Sequence, residues 1–223
     1  MDDITVVEVD SGETVIFVDL AGFTALIEVH GDNHAADLAE AFADMVRASL
    51  AVDDHLVKTI GDAVLLTSET PAHGVELVTE IYRRSRTNPS LLDLRAGVHH
   101  GPVIHRRGDV FGSTVNVAAR VTAMAAGGQV LCTAAVAAAA RAQGTPVVDL
   151  GPTSLRNVAR PLSLYALDVS GSRPGVVDPV CRMRVRVQDA VGVLHHAGRQ
   201  YAFCSLDCAH LFSSDPLRYA ATL

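Results

Sequence analysis

The chain of 223 residues has no tryptophan, one lysine and four cysteines, and aromatic residues make up only 4% of it. No run of about 18 uninterrupted apolar residues occurs, which excludes an expected helical membrane span. The nearest stretch, "AAGGQVLCTAAVAAAA", is broken by Gly, Gln and Thr. The opening "MDDITVVEVD" lacks the basic start of a secretory signal, so a cytoplasmic location is expected. Three of the cysteines cluster at 181, 204 and 208. An odd cluster without a signal reads as metal ligands or reactive thiols, not as a disulfide framework. No Walker-type glycine loop and no GxGxxG are present, so two common nucleotide motifs are missing. Excess positive charge is missing too. Residues 1–177 hold 13 basic and 21 acidic side chains, a net of −8, and residues 178–223 hold five and four, a net of +1. An acidic body argues against general nucleic-acid binding. A nucleotide stays open, because bound cations reverse the local field.

What is there points to a packed core: 49% hydrophobic and 19% charged residues. Strands and helices interleave. "TVIFVDL" (14–20) reads as a strand, "HAADLAEAFADMVRASLAV" (34–52) as a helix, and "HLVKTIGDAVLLTS" (55–68) as two strands joined at Gly61-Asp62. "PAHGVELVTEIYRRSR" starts a helix with Pro in its first turn. "LDLRAGVHHGPVIHRRGDVFG" reads as strand, turn, strand. "STVNVAARVTAMAA" reads as a helix capped by Ser113 or Thr114 and ended by Gly127-Gly128. "QVLCT", an Ala-rich helix, "PVVDLG" and "LSLYALDV" complete the body. Tight hairpins make the sheet at least partly antiparallel, so an α+β fold is expected over a doubly wound parallel sheet. The Gly/Ser/Pro-rich stretch 170–177 reads as a linker. Domains are therefore expected at 1–169 and 178–223.

Asp19 interrupts an apolar strand just before a Gly-Phe-Thr turn, and Asp62 sits at a hairpin tip. If the strands are neighbours, the carboxylates converge and repel unless protonated or bridged by a cation. Mg²⁺ is the natural partner of carboxylates and phosphates. On spacing alone, a capping role for Asp19 and ordinary turn chemistry for Asp62 are the favoured account. Lys58, the only lysine beside 17 arginines, lies within an apolar strand, as if a compact ammonium were needed there. Histidines 99, 100 and 105 read as polar turn residues or as a pH-sensitive group, and Cys132 as a small buried apolar residue.

"FVDLAGFTAL", "KTIGDAVLL", "GVHHGPV" and "GDVFGSTVNVAARV" together resemble, in order, the motifs of class III nucleotidyl cyclase catalytic domains. The resemblance spans about residues 14–168. It implies a ferredoxin-like α+β fold that works as a homodimer with active sites between protomers. It further implies that Asp19, Asp62 and the Leu20 carbonyl hold two Mg²⁺ or Mn²⁺ ions. Lys58 and Asp109 would read the base, Asn116 would position the ribose, and Arg120 would stabilise the reacting phosphate. A further phosphate contact falls to Arg156 or Arg160, with Arg156 favoured. The residue types suit the reaction. Arg120 follows Asn116 by four residues and so shares its helix face, and a guanidinium fits phosphate oxygens. Asp109 accepts and Lys58 donates, which complements N6 and N1 of adenine and mismatches guanine. ATP is the expected substrate, cyclic AMP and pyrophosphate the expected products. The alternatives are a catalytically silent dimer that acts as a metal or redox sensor, and, less favoured, a guanylate cyclase.

"DPVCRMRV…HHAGRQYAFCSLDCAHLFSSDPLRY" resembles the YHS domain, related to the TRASH metal-binding group. Cys204 and Cys208 lie one helical turn apart, with Cys181 brought in by the fold. Thiolates suit Zn²⁺ or Cu⁺. The fourth ligand is open between His195, His196, water and a partner, and a small packing module with unligated thiols is the alternative. Where relatives place Gly between Cys and Met, this chain has Arg182. A domain this small commonly relies on a metal.

Overall fold

The structure, a computed structural model, describes residues 12–88, 91–169, 171 and 175–220. The body runs β1 (Glu13–Leu20), α1 (Phe23–Arg47), β2 (Asp54–Ile60), β3 (Ala63–Ser68), α2 (Pro71–Ser85) and β4 (Leu94–Gly101). It continues with β5 (Ile104–Arg106), β6 (Asp109–Phe111), α3 (Ser113–Met124), β7 (Val130–Thr133), α4 (Ala134–Ala142), β8 (Val147–Thr153) and β9 (Leu162–Leu167). Seven strands form one sheet in the order β2-β3-β1-β4-β7-β9-β8. Among the described strands of this sheet, only β4 and β7 run parallel. The expected α+β, largely antiparallel architecture is the one observed.

Alternation along β1 decides which side chains go where, because successive residues point to opposite faces. Ile16, Val18 and Leu20 join the main core with Leu26, Phe42, Val78 and Ile81 of α1 and α2 and Ala137 of α4. Val15 and Phe17 turn to the opposite face, against Val110 and Ala118. Asp19 follows Val15 and Phe17 in that alternation. It therefore ends the strand on the face away from the main core. On this side α3 lies so close to β4 that a Cβ on Gly97 would run into the Thr122 amide and the Ala118 carbonyl.

Three local readings change. The helix expected over 34–52 starts at Phe23, ends at Arg47, and is kinked at Gly31 (φ 79°, ψ 168°). After it, the Asp54 carboxylate accepts from the Ala51 amide and from the Ser68 hydroxyl, and this holds the chain in a turn. The cap of α3 is Gly112 at φ 132°, without a side-chain bond. The Thr114 hydroxyl donates instead to the Pro102 carbonyl at 2.6 Å, which ties the connection between β4 and β5 to the start of the helix. His99 and His100 lie within β4, not in a turn.

The C-terminal unit holds β10 (Val176–Val177), β11 (Arg184–Val185), β12 (Gly192–His196), β13 (Arg199–Phe203), α5 (Leu206–Ser214) and α6 (Pro216–Ala220). Its core gathers Val180, Cys181, Tyr201, Phe203, Cys208 and Phe212, with Val29 of α1 packed against it. β10 takes the last two residues of the stretch read as a linker, and residues 170 and 172–174 lie outside the described residues. Among the described residues, no helix is long and apolar enough to cross a membrane.

Candidate active site

The β2–β3 hairpin pairs Ile60 with Ala63, and β1 pairs Asp19 with Ala63. That register brings the Asp62 tip beside the end of β1, where the Leu20 amide donates to the Asp62 carbonyl at 3.3 Å. The two carboxyl groups share a hydrogen bond. Burial pushes the Asp62 carboxyl up to about 6, and the bond and charge of Asp19 add to the rise. On its other side Asp19 accepts from Arg95 Nε at 2.7 Å. Arg95 is its cross-strand partner on β4. Two carboxylates and nearby backbone carbonyls are hard oxygen donors, a set that fits Mg²⁺ or Mn²⁺.

Lys58 of β2 meets Asp109 of β6, Nζ to Oδ2 at 2.5 Å. The ammonium, with the Val110 amide, holds the Asp109 carboxyl below its usual range. Asn116 and Arg120 lie one turn apart on α3, Asn116 exposed and Arg120 half-buried. Arg156 and Arg160 are exposed in the connection between β8 and β9. The fold thus joins Asp19 with Asp62, and Lys58 with Asp109. No hydrogen bond or ion pair found among the described residues links one pair to the other. His99 bonds the Thr133 hydroxyl at 2.7 Å and His100 the Thr14 hydroxyl at 3.0 Å. Burial lowers the pKa of both.

Cys181, Cys204 and Cys208 do converge. Sγ of Cys204 lies 3.4 Å from Cys181 and 3.7 Å from Cys208. Hydrogen bonds from Cys181 and Cys204 pull the Cys208 thiol down, and its bond to Cys204 pushes Cys181 up. The fourth side chain here is neither His195 nor His196 but His30 of α1, its Nε2 3.6 Å from Cys204 Sγ. His195 is exposed, and His196 packs edge-on against Phe212. Sequence reading missed His30, since nothing local marks it, and missed Arg95, whose signal is the one basic residue inside "LDLRAGV".

A largely antiparallel sheet with two carboxylates meeting where an inner strand, β1, ends is the arrangement of the nucleotidyl cyclase class of catalytic domain. Residues 7–168 match the family described as adenylate and guanylate cyclase catalytic domain, and this chain belongs to it. Residues 176–222 match the YHS domain. A pH-sensitive adenylate cyclase of Mycobacterium tuberculosis is 37% identical over 166 residues, 73% of this chain and 42% of that protein. An adenylate cyclase of Streptomyces coelicolor is 37% identical over 121 residues, 52% of this chain and 31% of that one. The matches thus span less than half the length of these relatives. Among solved structures, a Trypanosoma brucei adenylate cyclase in its monomeric state superposes with TM-score 0.62 at 26% identity, covering 73% of this chain and 91% of that one. The adenylyl cyclase CyaB of Pseudomonas aeruginosa gives 0.60 at 20% identity, over 74% and 97%, and supports the fold.

Proposed function

We propose that the chain is an adenylate cyclase that converts ATP to 3′,5′-cyclic AMP and pyrophosphate at sites formed between two copies of it. The catalytic unit is taken as 1–169 and, since β10 pairs with β11, the expected linker 170–177 shortens to 170–175 before a metal-binding unit that starts at 176. The observation that carries this reading is the Asp19–Asp62 pair, two carboxyls that the β1–β3 register brings together where β1 ends. Such a pair is poorly stable as two free anions and is well matched to cations that also bind a triphosphate.

Asp19, Asp62 and the Leu20 carbonyl would hold two Mg²⁺ or Mn²⁺ ions. When bound, these lower the pKa of the ribose 3′-hydroxyl and neutralise the triphosphate. The rest falls to the side chains. Lys58 donates to N1 of adenine and Asp109 accepts from its 6-amino group. Their mutual ion pair keeps both extended toward that position before the base arrives. Asn116 orients the ribose so that the 3′-oxygen lies in line with the α-phosphorus. Arg120, one turn along α3, places its fork on the phosphate where charge builds during transfer. Arg156 contacts the triphosphate. Guanine would set its 6-carbonyl against the Asp109 carboxylate, which disfavours GTP.

The test is to incubate the purified protein with ATP or GTP and Mn²⁺ or Mg²⁺, and to quantify cyclic nucleotide beside an Asp62→Ala control. Cyclic AMP from the wild type alone is the expected result. No product from a confirmed dimer with either metal rejects the reading in favour of a silent sensor.

A further inference from the structure

The three clustered cysteines belong to the C-terminal unit, while His30 belongs to the cyclase domain. The Nδ1 or Nε2 atom of His30 and the three Sγ atoms lie within 4.8 Å of one another. A tetrahedral zinc with Zn–S of about 2.3 Å and Zn–N of about 2.0–2.1 Å sets S···S near 3.8 Å and S···N near 3.6 Å. The observed edges from Cys204 are 3.4 and 3.7 Å to sulfur and 3.6 Å to nitrogen. We propose that Cys181, Cys204, Cys208 and His30 form one four-coordinate zinc site, and that this zinc clamps the C-terminal unit onto the first segment of α1.

The surroundings are built for it. Asp178, fully buried, accepts from the Val180 amide through one oxygen and from the Cys204 amide through the other, both at 2.9 Å. One carboxylate thereby fixes both segments that carry the first two thiols. Outer partners of this kind orient metal ligands. On the cyclase side, the Gly31 kink directly follows His30. Its backbone lies in a region open essentially to glycine alone. A Cβ there would touch nothing within 4 Å, so the glycine serves the turn and not a close contact. The kink separates the Phe23–His30 segment from the remainder of α1.

The same face carries further contacts to the loop after Asp19. Arg182 adopts φ 69°, a left-handed conformation that non-glycine residues rarely take. Its side chain lies over Gly22, where a Cβ would sit 2.5 Å from the Arg182 Cγ. Arg184 forms a forked pair with Asp93 at 2.7 and 3.0 Å, and the Asp93 carbonyl accepts from the Ala21 amide at 2.7 Å. Zinc at His30 therefore steadies a surface that includes Ala21 and Gly22, two and three residues beyond Asp19. The metal state of the C-terminal unit and the order of the Asp19 loop are one variable.

The experiment uses the full chain and reads metal and backbone, not catalysis, so its outcome is separable from the cyclase reading. Zinc is measured by elemental analysis, and cobalt(II) is titrated into the chelated, thiol-protected protein. The expected result is one zinc per chain and the intense visible absorption of tetrahedral cobalt with sulfur ligands. His30→Ala should weaken cobalt binding by at least about 10²-fold, a floor set by what outer-shell partners alone are worth. His30→Cys should restore four-coordinate binding with stronger sulfur-to-cobalt absorption. Hydrogen exchange of amides 23–30 should accelerate at least tenfold, about what a lost local restraint of one decade implies, when zinc is chelated. A wild-type cobalt spectrum and affinity in His30→Ala overturns the assignment of His30. Unchanged exchange on chelation overturns the clamp. A Cys181–Cys204 disulfide in place of metal, in protein kept under thiol, overturns the site.

Discussion

Lys58 and Asp109, 51 residues apart in sequence, meet end to end at 2.5 Å and join the outermost strand of the main sheet to the β5–β6 hairpin. If they read adenine as donor and acceptor, each alone is insufficient. Asp109→Ala should lower kcat/KM for ATP by about ten- to a hundredfold, the scale of one buried polar mismatch of 1–3 kcal/mol. GTP turnover should change far less. Parallel kinetics on both nucleotides check this, and an equal loss on both would contradict a base-reading role.

Asp62 sets a dependence on pH with a definite sign. Its pKa is about 6 in the fold against an ordinary 3.8, so the folded chain holds a proton that the unfolded chain has released. Stability from this group is full below about pH 4 and is lost as pH rises through 6. Asp62→Asn removes that loss. In the presence of chelator at pH 7 it should melt above the wild type, and with saturating Mn²⁺ the order should reverse. Thermal melts with and without Mn²⁺ decide it.

If activity is shared between two copies, mixed variants should complement. Asp62→Ala and Arg120→Ala should each be inactive alone, Arg120→Ala by a factor of about 10² or more. Mixed and allowed to exchange, half the dimers carry one copy of each. In these, one of two sites combines an intact carboxylate pair with an intact arginine, so about a quarter of wild-type activity should return. A mixture no more active than its parts would place all the catalytic groups within one protomer.

The close approach of α3 to β4 makes Gly97 irreplaceable. Gly97→Ala should destabilise the domain by about 2 kcal/mol or more, since the obstructing atoms include backbone and cannot swing aside. Denaturant unfolding measures it. Because α3 also carries Asn116 and Arg120, activity should fall before the fold is lost.

Much of this was legible in the sequence, and the remainder was hidden for identifiable reasons. Alternation and turn residues placed β1, the β2–β3 hairpin and α2, because each is decided within a few residues. Asp19 and Lys58 were legible as charges set in apolar strands and Asp62 as a hairpin tip, whereas Asp109, in "HRRGDVFG", was legible only through the family resemblance. The start of α1 was not, because its first segment is half-exposed and interrupted at Gly31, which blurs a helical period. The Gly112 cap was missed because Thr114 spends its hydroxyl on the Pro102 carbonyl. His30 was illegible in principle. Its partners lie more than a hundred residues downstream, and only the docking of two units brings them to it.

That separation also imposes an order in time. His30 and Cys204 are 174 positions apart, and Cys208 later still. On a growing chain the helix bearing His30 is made, and the sheet it packs on is finished, before the last thiol exists. N-terminal domains generally fold as units during synthesis. The thiols therefore arrive at a surface already in place, and the joint between the two units is the last part of the molecule to close.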